Sequence, residues 1–297
     1  MFKFILATVL LLSSICQAQT RLVVPYVPGG VSDRLARAVA QEVNIELGRN
    51  YLIVENRPGA GGTVSADYVK ASKTPMLYII SSGFFISQHE SSVNYSSKDF
   101  RPVFAIGRIP MILLKSPDSY FNLQSNRNVV FTAGHAGRGT TAWFAASLLR
   151  KHYPFIELIG YKGTADTYPD LIANRINLTF DFPGGTDAFI SSGMLEPVAV
   201  TSMRRLKDYP NVPTLVETFK DPTLVIHGSH MIVANQAMSA SQLQTINRHI
   251  QRATARQDFV RYIEQNHINF VGGNPANANS FYYKEDAYWK NTVKAIQ

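Results

Sequence analysis

The chain has 297 residues, 45% apolar and 17% charged, which is enough apolar material for one large domain or for two lobes. Its formal charge is +8, yet Lys and Arg are spread along the chain, the closest pairs being Arg204-Arg205 and Arg150-Lys151. With no dense basic run or aromatic-basic platform, nucleic acid is excluded as a partner class, and the surplus reads as a surface mildly attractive to anions.

Residues 1–18 are a different kind of sequence. Met1-Phe2-Lys3 gives a short positive start, Phe4–Leu12 is apolar apart from Thr8, and Ser13–Ala18 offers small residues before a cut after Ala18. These are the three regions of a secretory signal peptide, with an apolar run too short to span a bilayer. Cys16 could suggest a lipoprotein signal, but Ile15 stands where such signals want a small residue. Cleavage removes Lys3, so the charge falls from +8 to +7 (8 − 1), and removes the single cysteine. The expected product is a soluble periplasmic protein without disulfides, held by core packing alone.

Strand and helix patterns then alternate. Leu22–Tyr26 reads as a strand and Ser32–Leu47 as a helix with Leu35, Val39 and Val43 on one face, closed by Gly48 at C′. Tyr51–Glu55 is a strand, Asn56–Gly62 a glycine-rich loop, Thr63–Ala71 a helix and Met76–Ser81 a strand. Arg101–Lys115, apolar but interrupted by Gly107 and Pro110, is long enough to leave the first lobe. A second unit follows: strand Val129–Thr132, loop Ala133–Gly139, helix Thr140–Lys151, strand Phe155–Ile159, helical Thr164–Asn174, strand Ile176–Phe180 and strand Leu195–Thr201. Thr223–Ala234 crosses back, and helical patterns at Ser239–Arg256, Gln257–Asn266 and Pro275–Ala295 close the chain. The expected fold is α/β, with two lobes of parallel-rich sheet and flanking helices joined by two hinge crossings. Lobe 1 is expected to comprise 19–112 plus 227–297, and lobe 2 to comprise 113–226.

The glycine-rich loops follow the carboxyl ends of strands, the edge where open α/β sheets hold ligands. Glycine lets the backbone approach a ligand closely, and the helix start behind it offers free N–H groups and a positive partial charge. At one junction, a tight turn with Ser32 or Asp33 capping the helix would explain Gly29-Gly30. Three such loops in two units favour binding. Neither "GAGG" nor "GHAGRG" meets Gly-x-Gly-x-x-Gly or leads into Gly-Lys-Ser/Thr, so nucleotide binding is not expected.

The leader and the ordered set "VVPYVPGGVSD", "VENRPGAGG", "DFRPV", "GHAGRGTT", "IGYKGTADTYPDL", "FDFPGG" and "AVTSMRRLKDYPNVPTLVE" resemble the Bug/TctC family, periplasmic solute-binding proteins of tripartite tricarboxylate transporters. The likeness runs from about Arg21 to the C-terminal helix. It implies a two-lobed Venus-flytrap fold that closes on a small organic carboxylate and delivers it to membrane transporter subunits or a sensor, without chemistry. A monomer without cofactor or metal is expected. It also implies that loops matched by Pro25–Asp33 and Asn56–Gly62 hold the carboxylate through backbone groups and ordered water. Lobe 2 would contribute Gly134–Thr140, Tyr161–Thr164 and Asp181. The expected ligand-binding set is thus Tyr26, Pro28, Gly29, Gly30, Ser32, Asp33, Gly59, Ala60, Gly61, Ser82, His135, Gly137, Arg138, Gly139, Thr140, Tyr161, Gly163, Thr164 and Asp181.

Three places depart from the family pattern: His135 replaces a small hydroxyl residue, Arg138 an apolar one, and Lys73-Thr74-Pro75 an Asp-Gly turn. Arg138 points to a ligand with more than one acidic or polar end. A competing reading is a periplasmic hydrolase using His135 and Asp181 with Ser81 or Ser82, although no Gly-x-Ser-x-Gly elbow is present. His227 and His230, three apart, would face opposite sides of a strand and so share no metal; both read as hinge or surface residues. In the last helix, Phe281, Ala287 and Tyr288 are expected near one packed face, with Lys284, Glu285 and Lys290 in solvent.

Overall fold

The computed structural model describes residues 19–90 and 93–294, so the expected leader lies outside the described residues. Strands β1 (Thr20–Val24), β2 (Leu52–Asn56), β3 (Leu77–Ser81), β4 (Phe100–Pro110), β10 (His227–Asn235) and β11 (Asn269–Phe270) form a six-stranded sheet in the order β11-β4-β10-β3-β1-β2. Strands β5 (Ile112–Lys115), β6 (Phe131–His135), β7 (Ile156–Gly160), β8 (Leu178–Asp181) and β9 (Glu196–Val200) form a five-stranded sheet in the order β7-β6-β8-β5-β9. The chain passes between the sheets from β4 to β5 and returns from β9 to β10. The architecture is two-lobed α/β.

The parallel pairs are β1 with β2 and β3, and β6 with β7 and β8. Both crossing strands run the other way: β10 is antiparallel to β3 and β4, and β5 is antiparallel to β8 and β9. The sheets are therefore mixed. Apolar runs report burial on both faces but not direction, which is set by the chain entering each sheet from its neighbour.

Helix α1 (Val31–Leu47) buries Leu35, Val39 and Val43 completely against Leu22, Val24, Ile79 and Ile232. Burial of each such side chain is worth about 1.5–3 kcal/mol. Gly48 ends the helix at φ 63°, as a left-handed C-terminal residue should. Helix α2 (Thr63–Ala71) follows β2 after a glycine loop. Helix α3 (Ser82–Glu90) starts directly from β3 and was not signalled by periodicity. Its residues Ser82–Ser87 are all buried, so its apolar residues form no stripe. In the second lobe, helices α4 (Thr141–Leu149), α5 (Tyr168–Ile172), α6 (Pro183–Ser191) and α7 (Leu215–Phe219) flank the sheet. Helix α6 hides behind Pro183-Gly184-Gly185, which reads as a loop although Pro is at home in a first helical turn.

Helices α8 (Ala240–Thr254), α9 (Gln257–Gln265) and α10 (Pro275–Lys294) close the chain. In α10, Phe281 is buried as expected, but Glu285 is wholly buried and Ala287 is exposed, reversing the expected places of these two. Glu285 turns inward because Arg108 on β4 and His227 on β10 meet its carboxylate. Trp289 of the same helix packs edge-on against Phe144 of α4, with 5.4 Å between ring centroids. Helix α10 thus touches β4, β10 and the second lobe. His227 stands at the crossing, whereas His230, expected at the hinge or surface, is 2% exposed inside the first sheet.

Candidate functional site

Asp33 is 2% exposed at the start of α1 and organises the first loop. Its carboxylate accepts hydrogen bonds from Gly29 N–H (2.8 Å), Arg37 Nε (2.9 Å) and Asn56 Nδ2 (2.8 Å). Asn56 also donates to Tyr26 O at 3.0 Å, tying the loop after β2 to the loop after β1. Burial alone would push the Asp33 carboxyl up, but these hydrogen bonds hold it below the usual carboxylate range. Asp33 is therefore a brace between loops, with its oxygens turned into the protein. Gly30, the residue before α1, is extended, and no side chain caps the helix. The first N–H groups of α1 are left as donors at its positive end. Pro28 and Gly29 form the turn leading there, with Gly29 at φ 86°.

The second loop has four successive residues at positive φ: Gly59, Ala60, Gly61 and Gly62. This left-handed turn is natural for glycine and strained for Ala60. Beside these loops, Tyr26 shares a hydrogen bond with Ser81 (2.9 Å). Ser32, in turn, bonds His230 Nε2 (2.9 Å). Ser82, expected to face the ligand, turns its hydroxyl to Ser229 (3.1 Å) and His227 O (3.2 Å) on β10. Its buried side chain connects the start of α3 to the crossing strand.

In the second lobe, His135 ends β6 and is 6% exposed. Its Nδ1 accepts from Gly137 N–H at 3.0 Å, and burial depresses its pKa, so the neutral ring carries its proton on Nε2. Thr140 caps α4, accepting from Trp143 N–H (3.3 Å) and donating to Gly137 O (2.7 Å). Gly163 and Thr164 shape the turn after β7, accepting from Asp166 N–H and Thr167 N–H. Tyr161 turns its hydroxyl to Asp170 (2.7 Å), so that group is committed to its own lobe. Asp181, 8% exposed at the end of β8, accepts from the Tyr168 hydroxyl and from Phe182 N–H (2.7 Å). Burial raises its pKa against the opposing pull of those hydrogen bonds and Arg34.

The loops of the two lobes meet. A β-carbon on Gly83 would stand 2.9 Å from the Tyr26 hydroxyl and 3.4 Å from Gly139 O, and one on Gly61 would stand 3.7 Å from Arg138 O. Arg138 itself, expected at the ligand, ion-pairs with Glu90 of α3. Arg34, absent from the expected set, donates to Gly29 O (2.6 Å) and reaches Gly184 O (3.4 Å) across the cleft. Phe182 lies 6.2 Å from the His230 ring and fills the space beside Gly228, where a β-carbon would come within 2.4 Å of it. Gly228→Val should therefore hold the lobes apart and weaken ligand binding about tenfold or more. Solution scattering checks this: the radius of gyration of the variant should stay unchanged on adding ligand.

His230 Nδ1 is buried without a partner among the described residues, and desolvation lowers the pKa of the ring to about 4. Below pH about 6.5 the unfolded chain takes up a proton that folded His230 refuses. Stability should then fall as pH drops from about 6.5 towards about 4, by up to about 3 kcal/mol from this residue. Urea midpoints should show a smaller fall for His230→Gln than for the parent protein. Equal falls would assign the effect to another group.

His135 and Asp181 hydrogen-bond to different partners, and Ser81 and Ser82 are engaged elsewhere, so the constellation of the competing hydrolase reading is not assembled. Among the described residues, no group of three or more His, Cys, Asp or Glu is placed to hold a metal, and no helix is long and apolar enough to cross a membrane.

The model of the tripartite tricarboxylate transporter family receptor, TctC, matches residues 35–297. The chain belongs to this family. A UPF0065 protein in the tcbD-tcbE intergenic region of Pseudomonas sp. strain P51 is 28% identical over 286 residues, covering 91% of this chain and 84% of its own. The periplasmic binding protein BugD superposes with a TM-score of 0.84 at 23% identity, over 94% of this chain and 97% of its own. The R. palustris protein Rpa4515, solved with adipate, gives the same values. The two structural likenesses confirm the two-lobed fold of this chain. Sequence reasoning missed the roles of Arg34, Glu90, Phe182 and His230 because Gly184, Arg138, Gly228 and Ser32, which they meet, lie far off in the chain.

Proposed function

We propose that this TctC receptor works in the periplasm, closing its lobes on a small organic carboxylate and handing it unchanged to the membrane subunits of a tripartite tricarboxylate-type transporter. Residues 19–112 and 227–297 act as one lobe and 113–226 as the other. The observation that carries the reading is the uncapped start of α1, tied through Asp33 and Asn56 to the positive-φ glycine loop after β2. Helix-start N–H groups bind one carboxylate without a buried ion pair, so release requires no ion pair to be broken. Membership of a receptor family and the adipate held by a structural neighbour support the same choice of ligand class.

Thermal unfolding against a panel of organic acids tests it. A ligand bound only by the folded state raises the midpoint by an amount set by its concentration over Kd. A shift confined to carboxylates supports the reading; shifts confined to sugars or amines would replace it.

A further inference from the structure

Arg138 is the residue by which this cleft would be expected to hold a second acidic group on its ligand. Its Nε is already engaged. It pairs with Glu90, whose side chain is 4% exposed while that of Arg138 is 75% exposed, and it lies 5.4 Å from the centre of the Trp143 ring. Glu90 belongs to the opposite lobe, at the end of α3, the helix that starts at the cleft. Its Oε2 is 3.8 Å from where a β-carbon on Gly139 would stand, so the Glu90 carboxylate rests against the second lobe's glycine loop. The other arginine at the cleft, Arg34, is pinned by Gly29 O and Gly184 O, with Asp181 close by. Lys162, in the loop after β7, is exposed. His135 is neutral there and offers a hydrogen bond but no charge.

We propose that Glu90 is a specificity determinant, holding Arg138 from across the cleft so that the receptor selects acids with one carboxylate and an uncharged far end. The inference rests on the carboxylate-receptor reading above and names the ligand class for that site. One carboxylate is served by the helix starts of the first lobe. A second one, reaching the far wall, would lose its water beside Glu90 and Asp181 and find no uncommitted arginine. Glu90 acts through Arg138 and is a positioning residue.

Calorimetric titration of the purified full chain tests this with matched pairs: glutarate against its monoamide, and adipate against its monoamide. The expected result is that a monoamide binds about tenfold or more tightly than its diacid. Glu90→Gln, which leaves Arg138 its charge but removes the counter-ion, should shrink or invert that ratio. A merely structural role for Glu90 would weaken both members of a pair alike and leave the ratio unchanged, which overturns the proposal. So does a parent protein that binds the diacid as tightly as the monoamide or more so. Those outcomes leave the carboxylate reading standing, whereas binding of no carboxylate at all overturns both.

Discussion

Asp33→Ala should weaken ligand binding about tenfold or more and lower the unfolding free energy by about 2–3 kcal/mol. The carboxylate is the common acceptor for Gly29 N–H, Arg37 and Asn56, and Asn56 carries the connection on to Tyr26 O. Removing it leaves Gly29 N–H and Asn56 without that acceptor and frees the loop whose shape presents the start of α1. Asn is the informative control, since it keeps the size but cannot serve three donors as a charged acceptor does. Because the folded Asp33 pKa lies below its unfolded value, its contribution is present above about pH 4 and is lost as pH falls through the folded value. Titration calorimetry and urea unfolding read the two effects separately. A variant with lost stability but intact affinity would show that the loop keeps its shape without the brace.

The second large effect is expected at the crossing. Glu285 is wholly buried on α10, with its carboxylate 2.5 Å from Arg108 Nη2 and 3.2 Å from His227 Nε2. Burial would raise its pKa, but hydrogen bonds and charge from His227 and Arg108 hold it below the ordinary glutamate range. Glu285→Ala should cost about 3 kcal/mol, near the lower end for breaking a buried pair because Arg108 is partly open to water. Its folded pKa is the lower one, so this contribution too is lost on acidification, below the unfolded value of about 4.3. Urea unfolding at pH 7 and at pH 3 should show a difference between parent and variant that is large at the first and smaller at the second. Ser82 bonds both His227 O and Ser229, so the variant should also loosen the link between the cleft and the crossing strand.

Much of this arrangement was legible in local sequence. The apolar face of α1, the left-handed Gly48 and the glycine loops at strand ends are signals carried within a few residues, and each stands where expected. The direction of β5 and β10 was not legible, because an apolar strand looks alike whichever way it runs. Helix α3 was hidden for a related reason: Phe84, Phe85 and Ile86 are consecutive and all buried, so no helical period appears. The site was legible as loops and not as side-chain roles. Arg138 reads as a free cation until Glu90, 48 residues earlier, is brought beside it. Ser32 reads as a helix cap until His230, 198 residues later, takes its hydroxyl. Glu285 reads as a solvent-facing acid because nothing within one helical turn reveals Arg108.

The most direct measurement is a calorimetric titration of the parent protein with the carboxylate that gives the largest thermal shift, with the recovered ligand then identified. Saturable heat at one ligand per chain, with the acid recovered unchanged, is the result expected of a receptor that closes on its ligand. Absence of saturable heat with every carboxylate, or recovery of a converted product, would contradict it.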